Sequence, residues 1–225
     1  MKRLLYLALA AMMACTQDAY EKGDGAFSLM RGDFVEAQVD GSKQMVGFLT
    51  DDGDQWPLTE PYTAKWIATA DTTYRCMLYY NKVSGTDGRT SAEVVSISEV
   101  PCVGVKRLSE FDKELRTDPV KFESAWLSKS GKYLNLYLQL KTGTTDDTTA
   151  IQQLAFVSDT LMTSPDGKQT RHVTLHHDQN RVPEYYSTKT YVSIPTDSIA
   201  ADSVRLAINT YSGEVVKTLS LRRLR

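Results

Sequence analysis

Leu134, Leu136, Leu138 and Leu140 alternate without a break with Tyr133, Asn135, Tyr137 and Gln139. A strand turns successive side chains to opposite faces, so this run specifies one apolar and one polar face, which no helix could sort. The same period of two recurs along most of the chain. Val35, Ala37 and Val39 alternate with Phe34, Glu36 and Gln38, and the stretches 44–50, 56–58, 62–69, 73–82 and 92–100 continue the series. Glycine and aspartate punctuate it at Gly41-Ser42, Asp51-Asp52-Gly53 and Ser84-Gly85-Thr86-Asp87-Gly88, as hairpin turns require. The pattern predicts an all-β protein.

Strands this short and this closely spaced within 31–105 suit a small closed barrel of the Greek-key OB type, whose closure removes the exposed edges of an open sheet. Residues 106–118 depart from the pattern. Leu108, Phe111 and Leu115 fall at helical spacing, Ser109 is a plausible N-cap, and Asp118-Pro119 ends the segment. A short helix or ordered connector is expected there. From 119 to 225 the alternation returns in the stretches 120–129, 133–140, 152–159, 169–177, 189–194, 203–211 and 214–221, with turns at Ser130-Gly131, Pro165-Asp166-Gly167 and Ser212-Gly213. Such a series predicts an antiparallel β-sandwich. Neither half repeats the other.

The first 14 residues are of another kind. Lys2-Arg3, an apolar run from Leu4 to Ala14, and Cys15 have the form of a lipoprotein leader, with a small residue ahead of the cysteine that would carry the lipid. The run is about half of the roughly 20 residues a spanning helix needs. Cys15 is thus the expected lipidation site, and the lipid on it the expected tie to the membrane. Thr16 after the cysteine, in place of an aspartate, favours the outer membrane, either surface-exposed or facing the periplasm. Residues 15–30, with Gly23-Asp24-Gly25, read as a flexible tether.

Removing 14 of 225 residues leaves 211 and takes away Lys2 and Arg3, so the formal charge moves from −2 to −4. With a pI of 5.9 and no basic stripe, nucleic acid is not an expected partner. Cys76 and Cys102 leave two readings open: a disulfide closing a 26-residue loop, worth about 3 kcal/mol by loop entropy, or two separate buried thiols.

Gly47-Phe-Leu-Thr-Asp-Asp-Gly53, the leader, and the terminal hairpin from Ala201 to Lys217 (Ala-Asp-Ser-Val-Arg-Leu-Ala-Ile-Asn-Thr-Tyr-Ser-Gly-Glu-Val-Val-Lys) resemble the NigD-like lipoproteins. The resemblance spans essentially the whole mature chain. It implies an N-terminal OB-type domain and a C-terminal β-sandwich. The family's name reflects a proposed link to bacteriocin immunity, and it brings no established catalytic or ligand-binding residues.

Motifs of known chemistry are weak. Lys141-Thr142-Gly143 resembles one motif of penicillin-recognising enzymes, but no serine is followed three residues on by lysine, and no Gly-x-Ser-x-Gly elbow occurs. His172 and His176 would lie about 13 Å apart on a strand, too far for one metal, and with His177 they read as exposed strand histidines. Asp51, Asp52 and Asp54 lack the spacing of a calcium loop and read as a hairpin turn. Arg31-Gly32-Asp33 reads as a turn ahead of the first strand. No metal or other cofactor is called for. Aromatic side chains are the better recognition candidates. Trp66 and Trp126 share parity with apolar neighbours and are expected in the core. Tyr185-Tyr186, in a loop-like stretch, and Tyr133 with Tyr137, opposite the leucine face, are the candidates for exposure. The expectation is a non-catalytic, lipid-anchored envelope protein that binds an unknown protein or glycan. A bacteriocin immunity factor, a glycan-binding accessory of nutrient uptake and a hydrolase with unrecognised carboxylates are the alternatives.

Overall fold

The computed structural model describes residues 29–85 and 88–221. The leader, Cys15, most of the tether and the turn residues Thr86 and Asp87 lie outside them. No helix among the described residues is long and apolar enough to cross a membrane.

Five strands form a closed barrel: β1 (Arg31–Val39), β2 (Met45–Thr50), β3 (Gln55–Tyr62), β4 (Thr72–Ser84) and β5 (Thr90–Glu99), in the order β1-β2-β3-β5-β4 with β1 returning to β4. The parity expected of β1 holds, since Val35, Ala37 and Val39 point inward with Met45, Phe48, Cys76, Leu78 and Tyr80. The predicted strand at 62–69 is absent. β3 ends at Tyr62, and its Pro57 and Pro61 have no N–H to donate, so it meets β5 through one parallel bridge, Leu58 to Ala92. The loop 63–71 that follows buries Ile67 in the barrel core.

Eight strands build the sandwich. β6 (Val105–Arg107), β9 (Gln153–Thr163), β10 (Gln169–Asp178), β12 (Ser203–Thr210) and β13 (Gly213–Ser220) form one sheet, ordered β13-β12-β10-β9-β6. β7 (Lys121–Leu127), β8 (Tyr133–Thr142) and β11 (Tyr186–Pro195) form the other, ordered β11-β8-β7. The four leucines of β8 face Phe156, Val173, Leu175, Val204, Leu206 and Ile208 across the core. At about 25 cal/mol per Å², that burial is the main force closing the two sheets.

The segment 106–118 is an ordered connector, irregular for most of its length. It enters the sandwich as β6, parallel to β9, and makes only one 3₁₀ turn, Leu108–Glu110. Leu108 and Leu115 stay exposed, so a helix would have had no apolar stripe to bury. Residues 116–120 instead wedge into the five-stranded sheet, bridging in parallel at Thr117 to His177 and Val120 to Thr210. The sandwich therefore begins at β6 rather than at 119.

This wedge also overturns the expectation of exposed histidines. His176 and His177 are 2% and 1% exposed. His176 Nδ1 accepts the Arg116 N–H at 3.0 Å and its ring meets Phe111 at 4.8 Å, while His177 Nδ1 lies 2.9 Å from the Asp118 carbonyl. Neither Nε2 has a partner, and burial lowers the affinity of the His176 ring for a proton.

The outer face of β8 does not meet solvent at its barrel-proximal end. Trp126 was expected in the sandwich core with Phe122, but Glu123 forms a β-bulge that shifts the register between Phe122 and Ser124. One extra residue inverts the parity. Ala125 takes the core side opposite Leu136, and Trp126, opposite Asn135, turns to the barrel and meets Phe34 edge-on at 5.6 Å. Phe34 also meets Tyr191 at 5.2 Å.

Arg75 joins the two domains. It is 5% exposed and points outward from β4, while its neighbour Cys76 points into the barrel. Its guanidinium bonds Asp51 bidentately at 2.7 Å per oxygen and donates to Asn135 Oδ1 at 3.2 Å and Ser193 Oγ at 3.4 Å. The charge also lies 4.1 Å from the Tyr133 ring centre and 5.2 Å from that of Phe34. Glu36 takes the Lys132 amine at 3.0 Å and the Tyr133 hydroxyl at 2.9 Å, and Lys129 reaches Asp52 at 2.9 Å.

The two cysteines among the described residues, Cys76 and Cys102, are free thiols. Cys76 lies in the barrel core, whereas Cys102 is exposed on the linker, on the side of Arg75 and Asp197. The two thiols stay apart in the structure, Cys76 inside the barrel wall and Cys102 outside it.

Candidate functional site

Polar and aromatic chemistry collects in two places, the domain junction and the opposite end of the sandwich. Most of the predicted candidates fall at one or the other. At the junction a cleft of about 420 Å³ is lined by Glu36, Thr73, Lys132, Tyr133 and Asp197 among others. Tyr133, a predicted exposed aromatic, is half-buried there, and burial together with Glu36 holds its hydroxyl above the ordinary phenol range. Tyr137 is half-buried against Tyr191, with ring centres 4.9 Å apart. The two tyrosines therefore cement the junction instead of forming an exposed strip. The polar face of β8 is polar in order to meet the barrel.

Asp51 and Asp52 are tied to Arg75 and Lys129, which separates them for structural use. Arg31-Gly32-Asp33 lies inside β1, with Asp33 accepting the Tyr80 hydroxyl at 2.9 Å and the Tyr79 ring covering Gly32. Among the described residues, no group of three or more His, Cys, Asp or Glu side chains has the arrangement of a metal site.

The far end is built differently. β8 carries the chain about 30 Å from Tyr133 to Thr142 at the usual rise per residue. Beyond it, the loop 143–152, the loop 179–185 and the β12–β13 turn converge. Asn180 and Arg181 both adopt positive φ, 42° and 62°, which lets the chain double back. Gln179 Nε2 ties this bend to the Lys141 and Val182 carbonyls at 3.0 and 2.9 Å, and Asn180 Nδ2 donates to the Thr149 and Ile151 carbonyls at 2.9 and 3.1 Å. Arg181 reaches Thr149 Oγ1 at 3.0 Å and Asp147 at 3.3 Å. These bonds fix the loops in place.

On this platform stand three tyrosines. Tyr185, Tyr186 and Tyr211 are 77%, 55% and 45% exposed. Tyr185 and Pro183 cover Gly143, where an added Cβ would come within 2.7 Å of the Tyr185 ring and 2.9 Å of the Pro183 Cβ. Lys141 joins the set, 3.0 Å from Glu184 and 4.4 Å from the Tyr211 ring centre. Its bond to Glu184 raises its affinity for the proton, so the amine stays charged over the ring. Tyr185 and Tyr186 were legible in the sequence. Tyr211 was not singled out, although a bulky aromatic in the turn Thr210-Tyr-Ser-Gly213 has no core to enter, and that was its signal. The clefts beside β6 and β3, like those at the junction, lie away from these rings.

A rigid end bearing ring faces and paired charges is suited to non-covalent recognition. Comparison with known proteins adds the lineage. Residues 104–221 match the family model of the NigD-like C-terminal β-sandwich domain. The chain belongs to the NigD-like family. The solved structure of a NigD-like immunity protein from Bacteroides caccae is similar to it, with 20% identity, 84% of this chain and 91% of that one covered, and a TM-score of 0.64. A protein proposed to be toxin-related, from Parabacteroides distasonis, gives 16% identity, 84% and 92% coverage and a TM-score of 0.60. One proposed to be a lipoprotein, from Bacteroides fragilis, gives 9% identity, 87% and 100% coverage and a TM-score of 0.61. At these identities the likeness is one of fold, and it extends over 84–87% of this chain. No curated protein matches the sequence.

Proposed function

We infer that this NigD-like protein is a non-catalytic, lipid-anchored component of the outer membrane that uses the tyrosine-bearing end of its sandwich to dock another protein. The observation that carries the reading is Tyr185, Tyr186 and Tyr211 standing exposed on a pinned platform outside the clefts. A glycan site would set its aromatics along a groove, whereas a protein surface of roughly 800 Å² per partner is broad and carries charges at its rim. Lys141 with Glu184, and Arg181 with Asp147, have that rim character. The lipid anchor rests on the leader and Cys15, supported by the likeness to the B. fragilis protein. The likeness to an immunity protein makes a secreted toxin one candidate partner.

The test uses the mature chain as bait in envelope extracts, beside a Tyr185→Ser/Tyr186→Ser variant. The expected result is one partner enriched by the native surface and lost with the double substitution. A partner retained equally by both would overturn the assignment. Metabolic palmitate labelling should disappear in Cys15→Ala, and labelling that persists would overturn the anchor.

A further inference from the structure

β11 is one edge of the three-stranded sheet, and the chain treats its two halves differently. Near the barrel the interdomain linker lies along it. Ser193 N–H donates to the Pro101 carbonyl at 2.9 Å, Val103 N–H donates to the Ser193 carbonyl at 2.9 Å, and Cys102 bridges Ser193 in parallel. The backbone groups of Ser193 thus point away from β8. Strand alternation sends those of Tyr191, Lys189 and Ser187 the same way. In the described residues nothing pairs with this side of β11 beyond the linker, and Tyr186 to Lys189 are all exposed. The linker shows that the edge takes an extended segment, and it stops just short of the free stretch.

We propose that Tyr186–Tyr191 is a strand-addition site for an extended, acidic peptide segment of a partner protein. Main-chain bonds from Ser187, Lys189 and Tyr191 would hold such a segment, with side-chain contacts setting the choice. Charge selects the occupant. Lys189 is exposed at the middle of the stretch. The nearby carboxylates are already bonded, Glu123 to Lys121 at 2.8 Å and Glu184 to Lys141 at 3.0 Å. A second copy pairing antiparallel about this point would set lysine against lysine, which is unfavourable, whereas a carboxylate opposite Lys189 is favourable. Tyr185 and Tyr186 open the same stretch, so the site deepens the docking role proposed above and rests on it.

The experiment pans a phage-displayed library of random dodecapeptides on the mature chain and measures the selected peptides by fluorescence anisotropy. Lys189→Pro removes an outward N–H without touching the bonds to β8, and Lys189→Glu tests the charge should the proline disturb folding. The expected result is acidic peptides whose affinity falls at least tenfold with Lys189→Pro, with Lys189→Glu and with Tyr185→Ser/Tyr186→Ser. Sensitivity to the tyrosines alone would overturn the strand-addition site and leave the docking surface. Insensitivity to all three would remove both. Failure to select acidic peptides, or a dimer in sedimentation that Lys189→Pro abolishes, would also overturn the proposal.

Discussion

Replacing Arg75 with methionine should be among the most damaging single changes in this protein, and the structure sets its size. The guanidinium is buried, and its partner Asp51 keeps 18% of its side chain exposed. Removing one member of a buried ion pair costs about 3–5 kcal/mol, because the other is left without its counter-charge. The residual hydration of Asp51 places the cost at the low end, about 3 kcal/mol. The stacking on Tyr133 and Phe34 adds about 1 kcal/mol. Asn135 loses less, since its Oδ1 keeps the Ser193 hydroxyl at 2.7 Å. A total near 4 kcal/mol is a large share of the 5–15 kcal/mol of a typical protein. Urea unfolding followed by tryptophan fluorescence is the assay, since Trp126 sits in the same junction. Arg75→Met should lower the midpoint strongly and separate barrel from sandwich unfolding. Adding Asp51→Asn should restore at least about 1 kcal/mol by discharging the orphaned carboxylate. A loss under 1 kcal/mol, or further loss with Asp51→Asn, would refute the reasoning.

Acid should weaken the sandwich through His176, whose proton affinity burial lowers. An imidazole with its folded pKa below the unfolded value of about 6.5 contributes stability above that pH and loses it as pH falls below. His176→Asn, which keeps an acceptor near the Nδ1 position, should flatten the fall of the urea midpoint between pH 7.5 and 5, and an unchanged profile would exclude His176 as its source. A thiol reagent should label exposed Cys102 in the folded protein, though more slowly than a free thiol because burial also raises its pKa, and Cys76 only after unfolding, because burial pushes the Cys76 thiol up to about 12. An intact mass that rises by two hydrogens on reduction would instead reveal a disulfide. Gly143→Ala should push on both the Tyr185 ring and Pro183, displacing the loop 179–185, so that partner binding weakens and stability falls together, which the pull-down and calorimetry can measure.

Much of the fold was legible because buried strands advertise themselves by alternation. Val35, Ala37 and Val39, and the four leucines of β8, point where their parity sends them. Where the pattern misled, a local event broke the count. The Glu123 bulge sent Trp126 to the barrel, and the prolines of β3 left 63–71 as a loop. The histidines misled for a different reason, since the wedge that buries them comes from residues about 60 positions away in the chain. Of the candidate site, Tyr185 and Tyr186 could be read from a loop-like composition, but their union with Tyr211 and Lys141 depends on three loops meeting.

The sequence by itself determined most of the strands, most of their inward faces and the all-β class, because each follows from periodicity and turn chemistry within a few residues. Only the tertiary structure decided what the polar faces are for. Asn135, Tyr133 and Tyr137 look like solvent-facing residues until a second domain covers them, and Arg75 looks like a surface charge until Asp51, Asn135 and Ser193 surround it. A polar side chain is compatible both with water and with a polar partner, and the choice between them lies in the packing of one domain on the other.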